Sequence, residues 1–345
     1  MAALSTPDQK LAIFSDFADA LPDPCVIIDH RSVVRHRNKA AATEFPALAP
    51  AALLTAALRS PPLLSAIDEA RRTGEHRSVE LHQTVPTETW HRAHVAPLSD
   101  ASGMMVLTLQ SLTSHKRTDQ LRSDFIANAS HELRTPLTSL VGFIDTLLGP
   151  ASNDEAARER FLGIMRQQAA RMSNLIDDLL SLSRIEMRQH MRPTGTVDLG
   201  VLLREVSEGL ESQARDANVK IAVSADDGAT VTGDRNELYE VFENLIDNAI
   251  KYGGDGGQVE VTLGAGRGGY DHLIAVVDHG AGIEAHHVPR LTERFYRVDA
   301  ESSRKKKGTG LGLAIVKHII PRHRGQLMIK SAPGQGTRVE VQLSR

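Results

Sequence analysis

Cysteine is scarce in this chain, which has one, Cys25, among its 345 residues. A single cysteine cannot form an intramolecular disulfide or a cysteine-ligated zinc site, and its rarity favours a reducing compartment. Long apolar runs are also absent, since the longest, 47–58, has twelve residues and contains Pro50. A helix that crosses a bilayer needs roughly 20 apolar residues. The sequence therefore predicts no membrane span and a location in the cytoplasm.

An excess of charge of either sign is absent as well. Lys and Arg total 40 against 43 Asp and Glu, so the formal charge is -3. This balance disfavours a polyanion-binding surface and predicts no direct binding of nucleic acid. Apolar residues make up 41% and charged residues 24%, as in ordinary globular proteins. At roughly 100 to 200 residues per domain, the length predicts two or three domains.

Glycine and proline divide the chain into segments. Two of the 26 glycines precede residue 114 and three lie between 114 and 190, whereas the remaining 21 follow. The segment 114–190 has Pro136 and Pro150 as its only prolines, which predicts long helices there. The predicted division of the chain is 1–14, 15–113, 114–190 and 191–345.

Two of these segments mix helices with strands, so the chain is predicted to be a multidomain α+β protein. Segment 15–113 alternates short apolar runs with turn signals, which predicts a small antiparallel sheet with helices between 38 and 72. Its predicted strands are 25–28, one that starts at Val33, 78–84, 90–95 and 104–109. Segment 191–345 interleaves helices with strands, which predicts an α/β sandwich. Its predicted helices are 199–217, 235–251 and 311–323, and its predicted strands are 220–224, 258–263, 272–278, 326–330 and 337–343.

The middle segment is predicted to be a two-helix hairpin with apolar stripes. The first helix stops at Gly149 and Pro150, and Ser152 or Asn153 caps the second. Steps of three and four are typical of a coiled-coil seam, and two such hairpins can close a dimeric four-helix bundle. The alternative is that each hairpin packs against its own flanking domains. The predicted seams are Leu133, Leu137, Leu140, Ile144 and Leu147 in the first helix, and Phe161, Met165, Gln168, Met172, Leu175, Leu179 and Leu182 in the second.

The first helix carries a histidine beside a carboxylate, His131-Glu132. A zinc-protease helix would need a second histidine four residues after the first, where this chain has Thr135. Glu132 can accept the imidazole Nδ1 proton and make Nε2 a better nucleophile, once Pro136 bends the helix locally. Thr135 lies one turn after His131 and can orient a water molecule. A lone helical histidine is more often a solvated or core residue, and here its neighbours favour the chemical role.

Residues 125–138, Phe-Ile-Ala-Asn-Ala-Ser-His-Glu-Leu-Arg-Thr-Pro-Leu-Thr, resemble the phosphoacceptor box of two-component sensor histidine kinases. The resemblance implies that His131 accepts the γ-phosphoryl group of ATP at Nε2. It also implies that Glu132 is the general base and that Thr135 supports dephosphorylation of the partner. The same family would place an ATP site in the glycine-rich last segment.

Residues 243–252 predict part of that site. Leu238, Phe242, Leu245 and Ala249 share one face of the predicted helix, and Asn244, Asn248 and Lys251 share the other. Amide oxygens suit Mg²⁺, and an ammonium group can meet phosphate. The segment resembles the family's N box, which implies Asn248 as the Mg²⁺ ligand with help from Asn244, and Lys251 and Tyr252 as nucleotide-binding residues. An asparagine pair alone would more often be solvent-facing.

Two glycine-rich turns complete the predicted nucleotide site. Asp278, Gly280 and Gly282 follow an apolar strand and resemble the first glycine box, in which the aspartate accepts a hydrogen bond from the adenine amino group. His279 stands where the family more often has asparagine. The turn 308–313 opens a helix, as an anion site does, although three glycines alone are a weak signal. It resembles the second glycine box, which implies that Gly308, Gly310, Leu311 and Gly312 bind the triphosphate.

Residues 293–299 resemble the family's F box, in which Arg297 is positioned to contact phosphate. The basic run 304–307 follows. Such a run is usually a solvated loop, and between these two boxes it is interpreted as a lid over ATP.

The resemblance to sensor histidine kinases covers about two thirds of the chain. In the remaining part, residues 17–37 and the strands that follow them resemble a PAS sensor module. Phosphate-regulon sensor kinases show this order of PAS domain (15–113), dimerisation hairpin (114–190) and ATP-binding domain (191–345). The resemblance implies a homodimeric kinase that uses ATP and Mg²⁺, phosphorylates itself on His131, and passes the phosphoryl group to an aspartate in the receiver domain of a response regulator. It further implies phosphatase activity, a DNA-binding regulator of the phosphate-regulon type and phosphate-starvation sensing.

Other classes stay open at this point. An ATP-driven clamp or a serine kinase uses the same ATP fold but lacks the His131 hairpin, and a degenerate scaffold kinase would have lost Asn248 or Asp278. The chain is either cytoplasmic as a whole or the cytoplasmic portion of an inner-membrane sensor.

Overall fold

The computed structural model describes residues 7–84, 87–98, 103–188, 191–254, 257–298 and 308–345. They form two compact units, Met1–Ile126 and Ala127–Arg345. Within the described ranges, every helix is too short or too polar to serve as a membrane span.

The first unit is an α+β module around one five-stranded sheet. The strand order is β2-β1-β5-β4-β3, and every neighbouring pair is antiparallel. The strands are β1 (Cys25–Ile28), β2 (Val34–Arg37), β3 (Arg77–Gln83), β4 (Thr89–Pro97) and β5 (Met105–Ser111), and the helices are α1 (Pro7–Asp19), α2 (Lys39–Glu44), α3 (Leu54–Ala57) and α4 (Pro61–Thr73). The predicted antiparallel sheet with intervening helices is confirmed.

Local sequence explains the borders of α4 and the burial of the sheet. Ser60 caps α4 by accepting a hydrogen bond from Leu63 N, and Gly74 ends it in the left-handed region with φ 73°. Buried and partly exposed residues alternate along β5, so one face of that strand packs on the core. All four residues of β1, which lies between β2 and β5, are buried.

The hairpin consists of α5 (Thr113–Leu148) and α6 (Glu155–Met187). The predicted cap of the second helix at Ser152 or Asn153 is wrong, because Asp154 Oδ1 accepts the hydrogen bond from Ala157 N at 2.9 Å. Pro136 lies inside α5, which continues through it as one helix.

The apolar pattern of α5 differs from the single predicted seam. Leu133, Leu140 and Leu147 are half-buried, whereas Leu137 and Ile144 are 51% and 42% exposed. The first three recur every seven residues and form one stripe, so the residues between them point to a different side of the helix. Val141 and Leu148 extend this second, exposed stripe. All seven positions predicted for the α6 seam are buried or half-buried.

The remainder of the second unit is an α/β sandwich, as predicted. Its main sheet has the order β11-β12-β10-β9-β7, in which β7 and β9 are parallel and the other pairs antiparallel, and β6 pairs with β8 in a small second sheet. The strands are β6 (Thr196–Asp198), β7 (Lys220–Ser224), β8 (Thr230–Thr232), β9 (Gln258–Ala265), β10 (His272–Asp278), β11 (Gln326–Ser331) and β12 (Thr337–Leu343). The helices are α7 (Leu199–Gly209), α8 (Glu211–Asp216), α9 (Arg235–Gly253) and α10 (Gly312–Arg322), with a 3₁₀ turn at Val288–Arg290.

Two predictions of this segment need correction. The predicted helix 199–217 is two helices, because the chain leaves helical geometry at Leu210, where ψ is 0°. The strands β6 and β8 were not predicted, since three residues are too few to show a period. The apolar face predicted for α9 is confirmed, with Leu238, Phe242, Leu245 and Ala249 all buried.

Candidate functional site

A cavity of about 790 Å³ lies beside α9 and the end of β10 in the second unit. Most residues that the separate motifs pointed to line this one space. They are Asn244, Asn248, Lys251, Tyr252, Asp278, Gly282, Arg297, Gly308, Gly310 and Gly312. Gly280 and Leu311 are not among the residues that line the cavity. The Leu311 side chain is fully buried, so only its backbone is left to contact a ligand.

The polar face of α9 supplies the cavity's amide groups. Asn244 Nδ2 donates to the carbonyl of Glu240 at 2.8 Å, which fixes the amide and leaves Oδ1 as its acceptor. Gly312 lies against that oxygen, since a Cβ at this position would be 2.2 Å from Asn244 Oδ1. Lys251 Nζ donates to Asp247 Oδ2 at 2.6 Å, so its charge is held one turn back along the helix.

Asp278 ends β10 with its carboxylate buried. Oδ1 accepts from the backbone N–H groups of Gly280 at 3.0 Å and Thr337 at 3.2 Å. Burial raises the pKa of Asp278, against these two hydrogen bonds. Gly282 has φ 70° and its Cα lies so close to the Ala332 carbonyl that a Cβ would be 1.9 Å from the oxygen. The turn therefore needs glycine there and holds one fixed acceptor at the cavity wall.

The glycine turn before α10 is tied to the hairpin. Thr309 Oγ1 donates to Asp178 Oδ2 of α6 at 2.7 Å, and Gly310 O accepts from Phe295 N at 2.8 Å. The turn leads into the first N–H groups of α10, an arrangement that favours an anion. Asp299 and the predicted lid 304–307 lie outside the described residues.

The phosphoacceptor candidate lies beside a second cavity of about 380 Å³. His131 is exposed on α5, and Thr135 Oγ1 donates to the His131 carbonyl at 3.2 Å. Tyr296 lines both this cavity and the larger one. The lining residues are Asn128, His131, Glu132, Arg290, Glu293, Arg294, Phe295 and Tyr296.

Glu132 is paired with two arginines. Its Oε2 accepts from Arg171 Nη2 of α6 at 3.1 Å and from Arg297 Nη2 at 3.3 Å. The Arg297 side chain is 10% exposed and also lines the larger cavity. The arginine predicted to contact phosphate is therefore in contact with the carboxylate predicted to be the base.

Several α6 residues at the site were missed from the sequence. Ser181 Oγ donates to Glu240 Oε1 at 2.5 Å, and Glu186 pairs with Arg294. Burial raises the pKa of both Asp178 and Glu240, which lie close enough to repel each other. The available signal was Asp177-Asp178, two acids inside an otherwise apolar stretch of α6.

The larger cavity fits a magnesium nucleotide. A Cβ on residue 312 would collide with Asn244 Oδ1, so glycine lets the turn before α10 pack directly against the amide face of α9 at the cavity wall. Asparagine oxygens, a lysine, a helix N-terminus and a buried carboxylate acceptor together match Mg²⁺, phosphates and a base with an amino group.

Comparisons with known proteins agree with the motifs. Residues 121–188 match the His Kinase A (phospho-acceptor) domain, and residues 233–345 match the histidine kinase-, DNA gyrase B- and HSP90-like ATPase family. The phosphate regulon sensor protein PhoR of Pseudomonas aeruginosa is 40% identical over 232 residues, which are 67% of this chain and 52% of PhoR. The sensor-like histidine kinase SenX3 of Mycolicibacterium smegmatis is 34% identical over 67% of this chain and 60% of its own length.

A solved structure, the histidine kinase AdeS of Acinetobacter baumannii, is 26% identical with a TM-score of 0.47, covering 62% of this chain and 97% of that one. The chain spans about half the length of the PhoR protein that it matches.

Proposed function

Because this chain belongs to the sensor histidine kinases, we propose that it is an ATP-dependent protein-histidine kinase that phosphorylates itself on His131. The observation that carries the proposal is the shared wall of the two cavities. Tyr296 lines the space beside His131 and also the space that fits a nucleotide. The acceptor and the phosphoryl donor can thus be served by one segment of the chain.

In the proposed reaction, His131 Nε2 uses its lone pair to form a bond to the γ-phosphorus. The bond from that phosphorus to the β,γ-bridging oxygen breaks, and its electron pair leaves with ADP. Glu132 takes the proton from Nδ1, so the product is a neutral-ring phosphohistidine and a protonated carboxyl.

The proposed nucleotide-binding roles are supported by the cavity that these residues share. We assign Asp278 as the acceptor of a hydrogen bond from the adenine amino group, and Lys251, Tyr252 and the turn 308–312 as the groups that bind the phosphates; all of these except Leu311 line the cavity. Asn248 and Asn244 are the proposed Mg²⁺ ligands, and the bound ion would neutralise charge on the phosphates.

The proposed phosphoryl acceptor is an aspartate in a response-regulator receiver domain. Thr135, one helical turn after His131, is the residue we propose to align water for the reverse reaction, which removes phosphate from that regulator. The 40% identity to a protein named as a phosphate regulon sensor supports a DNA-binding regulator of that type and phosphate starvation as the signal.

The proposed assembly is a homodimer through the hairpin. Leu137, Val141, Ile144 and Leu148 leave an apolar stripe exposed on α5, and a second hairpin would cover it. We assign a PAS-like sensor domain to 15–113, the dimerisation hairpin to 114–190 and the ATP-binding domain to 191–345. A cytoplasmic location follows from the proposed use of ATP and of a response regulator.

A relay experiment tests this function. The protein is incubated with Mg²⁺ and γ-³²P-labelled ATP, freed of nucleotide, and mixed with receiver domains of its source organism. We expect label to enter the chain and then to move within minutes to one preferred receiver. Failure of the chain to take up label, with nucleotide bound, would overturn the proposal.

A further inference from the structure

Arg297 occupies a position between the two cavities of the second unit. Its Nη2 donates to Glu132 beside His131, and its side chain also lines the cavity that fits a nucleotide. One guanidinium therefore reaches both the candidate base and the candidate phosphate site.

The hydrogen bonding of Arg297 is incomplete. Its side chain is 10% exposed, yet its Nε is fully buried without a hydrogen-bond partner among the described residues. A buried donor that has lost water and gained no acceptor is unfavourable. A phosphate oxygen is an acceptor that can take two guanidinium N–H groups at once. The arginine is thus held near the nucleotide cavity in an arrangement that an anion would complete.

Arg171 supports the same carboxylate from the other side. It donates to Glu132 Oε2 at 3.1 Å from α6, and it does not line the larger cavity. Arg171 can therefore keep its contact with Glu132 when a nucleotide is bound. Arg297, in contrast, can bind either the Glu132 carboxylate or a phosphate of the nucleotide.

We propose that Arg297 is a positioning residue shared between Glu132 and the nucleotide phosphates. Without nucleotide, Arg297 and Arg171 both donate to Oε2 of Glu132 and hold the carboxylate in an ion pair. Phosphate binding draws Arg297 away, and Glu132, still oriented by Arg171, becomes free to accept the His131 proton. This inference rests on the proposed kinase function and adds that nucleotide occupancy activates the base.

Competition for one arginine has a measurable consequence in binding alone. The probe is Mg²⁺ with the non-hydrolysable ATP analogue AMP-PNP, titrated calorimetrically into the full chain. Glu132→Gln removes the competing anion, so we expect nucleotide affinity to rise by about threefold, the range of a partly exposed ion pair. When Arg297 has already been replaced by glutamine, Glu132→Gln should leave nucleotide affinity unchanged. Glu293→Gln is the control, since Glu293 lines the cavity beside His131, as Glu132 does, but pairs with Arg290 and not with Arg297.

Arg171→Gln should change nucleotide affinity in the opposite direction, because it strengthens the competition of Glu132 for Arg297. It leaves Glu132 to Arg297 alone, so affinity should fall, and adding Glu132→Gln should restore it. Unfolding cannot produce the rise in affinity expected for Glu132→Gln. Equal effects of Glu132→Gln with and without Arg297, or no effect in either background, would overturn the shared-arginine proposal. Label uptake at His131 in the wild type would still support the kinase function in that case, so the two failures are distinguishable.

Discussion

At the scale of single residues, the nucleotide cavity depends on amides that α9 presents from one face. Replacing Asn248 by alanine removes an oxygen ligand suited to Mg²⁺. Because transfer of a γ-phosphoryl group needs metal-neutralised charge, we expect label incorporation to slow by about two orders of magnitude or more. Initial rates over a series of Mg²⁺ concentrations measure the effect. Asn236→Ala is the control, since Asn236 is exposed on the first turn of the same helix. A normal rate in Asn248→Ala would refute the ligand role.

Thr135 separates the forward reaction from the reverse one. Thr135→Ala should retain most autophosphorylation and slow dephosphorylation of the regulator by about tenfold, a barrier change of about 1.4 kcal/mol. Thr138→Ala is a close control, because Thr138 Oγ1 bonds the carbonyl four residues back, as Thr135 Oγ1 does. Both rates are measured on the same preparations. If Thr135→Ala slowed autophosphorylation and dephosphorylation equally, the hydroxyl would contribute only to the structure of the helix.

The buried His323 gives the second unit a defined pH response. Its Nε2 accepts from Asp234 N and its Nδ1 donates to Ile319 O, each at 3.0 Å. Burial lowers the pKa of His323 below its usual 6.5, so the unfolded chain binds more protons than the folded one. Its stabilising contribution is therefore complete above about pH 6.5 and is lost as the pH falls further.

Chemical denaturation at several pH values tests this response. His323→Gln cannot titrate, so the gap in free energy of unfolding between wild type and variant should narrow from pH 8 to pH 5.5. His286→Gln, at an exposed position, is the control. A gap that stays constant over this range would contradict the assignment.

At the residue scale, short motifs predicted residues that the structure brings together, and the roles of those residues stay predictions. Asn248, Asp278 and Gly312 come from separate stretches of sequence and converge on one cavity. Arg171 was missed because its meaning depends on Glu132, 39 positions away and across the hairpin. No local pattern marks such a pair, since it exists only after the two helices pack.

At the scale of elements, α5 carries two apolar stripes with different roles. Leu140 belongs to the half-buried stripe and Ile144 to the exposed one. In the proposed dimer Ile144→Glu places an unpaired charge between hairpins, so the dimer dissociation constant should rise by about tenfold or more while helix content is kept. Leu140→Glu should instead destabilise the hairpin itself. Light scattering and circular dichroism on both variants distinguish these outcomes, and an intact Ile144→Glu dimer would show that the exposed stripe is not the interface.

Long periodic elements were predicted best and element ends least well. Both hairpin helices and α9 were predicted from apolar spacing. The cap at Asp154 was missed by one residue, because Ser152, Asn153 and Asp154 are all good caps and packing decides among them. The pairing of β6 with β8 is non-local and leaves too short a trace in the sequence.

At the scale of the whole molecule, the two family matches lie in the second unit or reach only a few residues into the first. The first unit is described by its own sheet and helices, and its PAS-like role stays a prediction. The proposed chemistry therefore depends on residues 127–345.

Locating the phosphorylated residue is the most direct test of the proposed kinase function. Wild-type protein and His131→Gln are incubated with Mg²⁺ and labelled ATP, and the bound label is exposed to acid and to alkali. We predict label in the wild type that is lost in acid and kept in alkali, as phosphohistidine is, and no label in His131→Gln although nucleotide still binds. Label that survives acid, or that persists in His131→Gln, would contradict it.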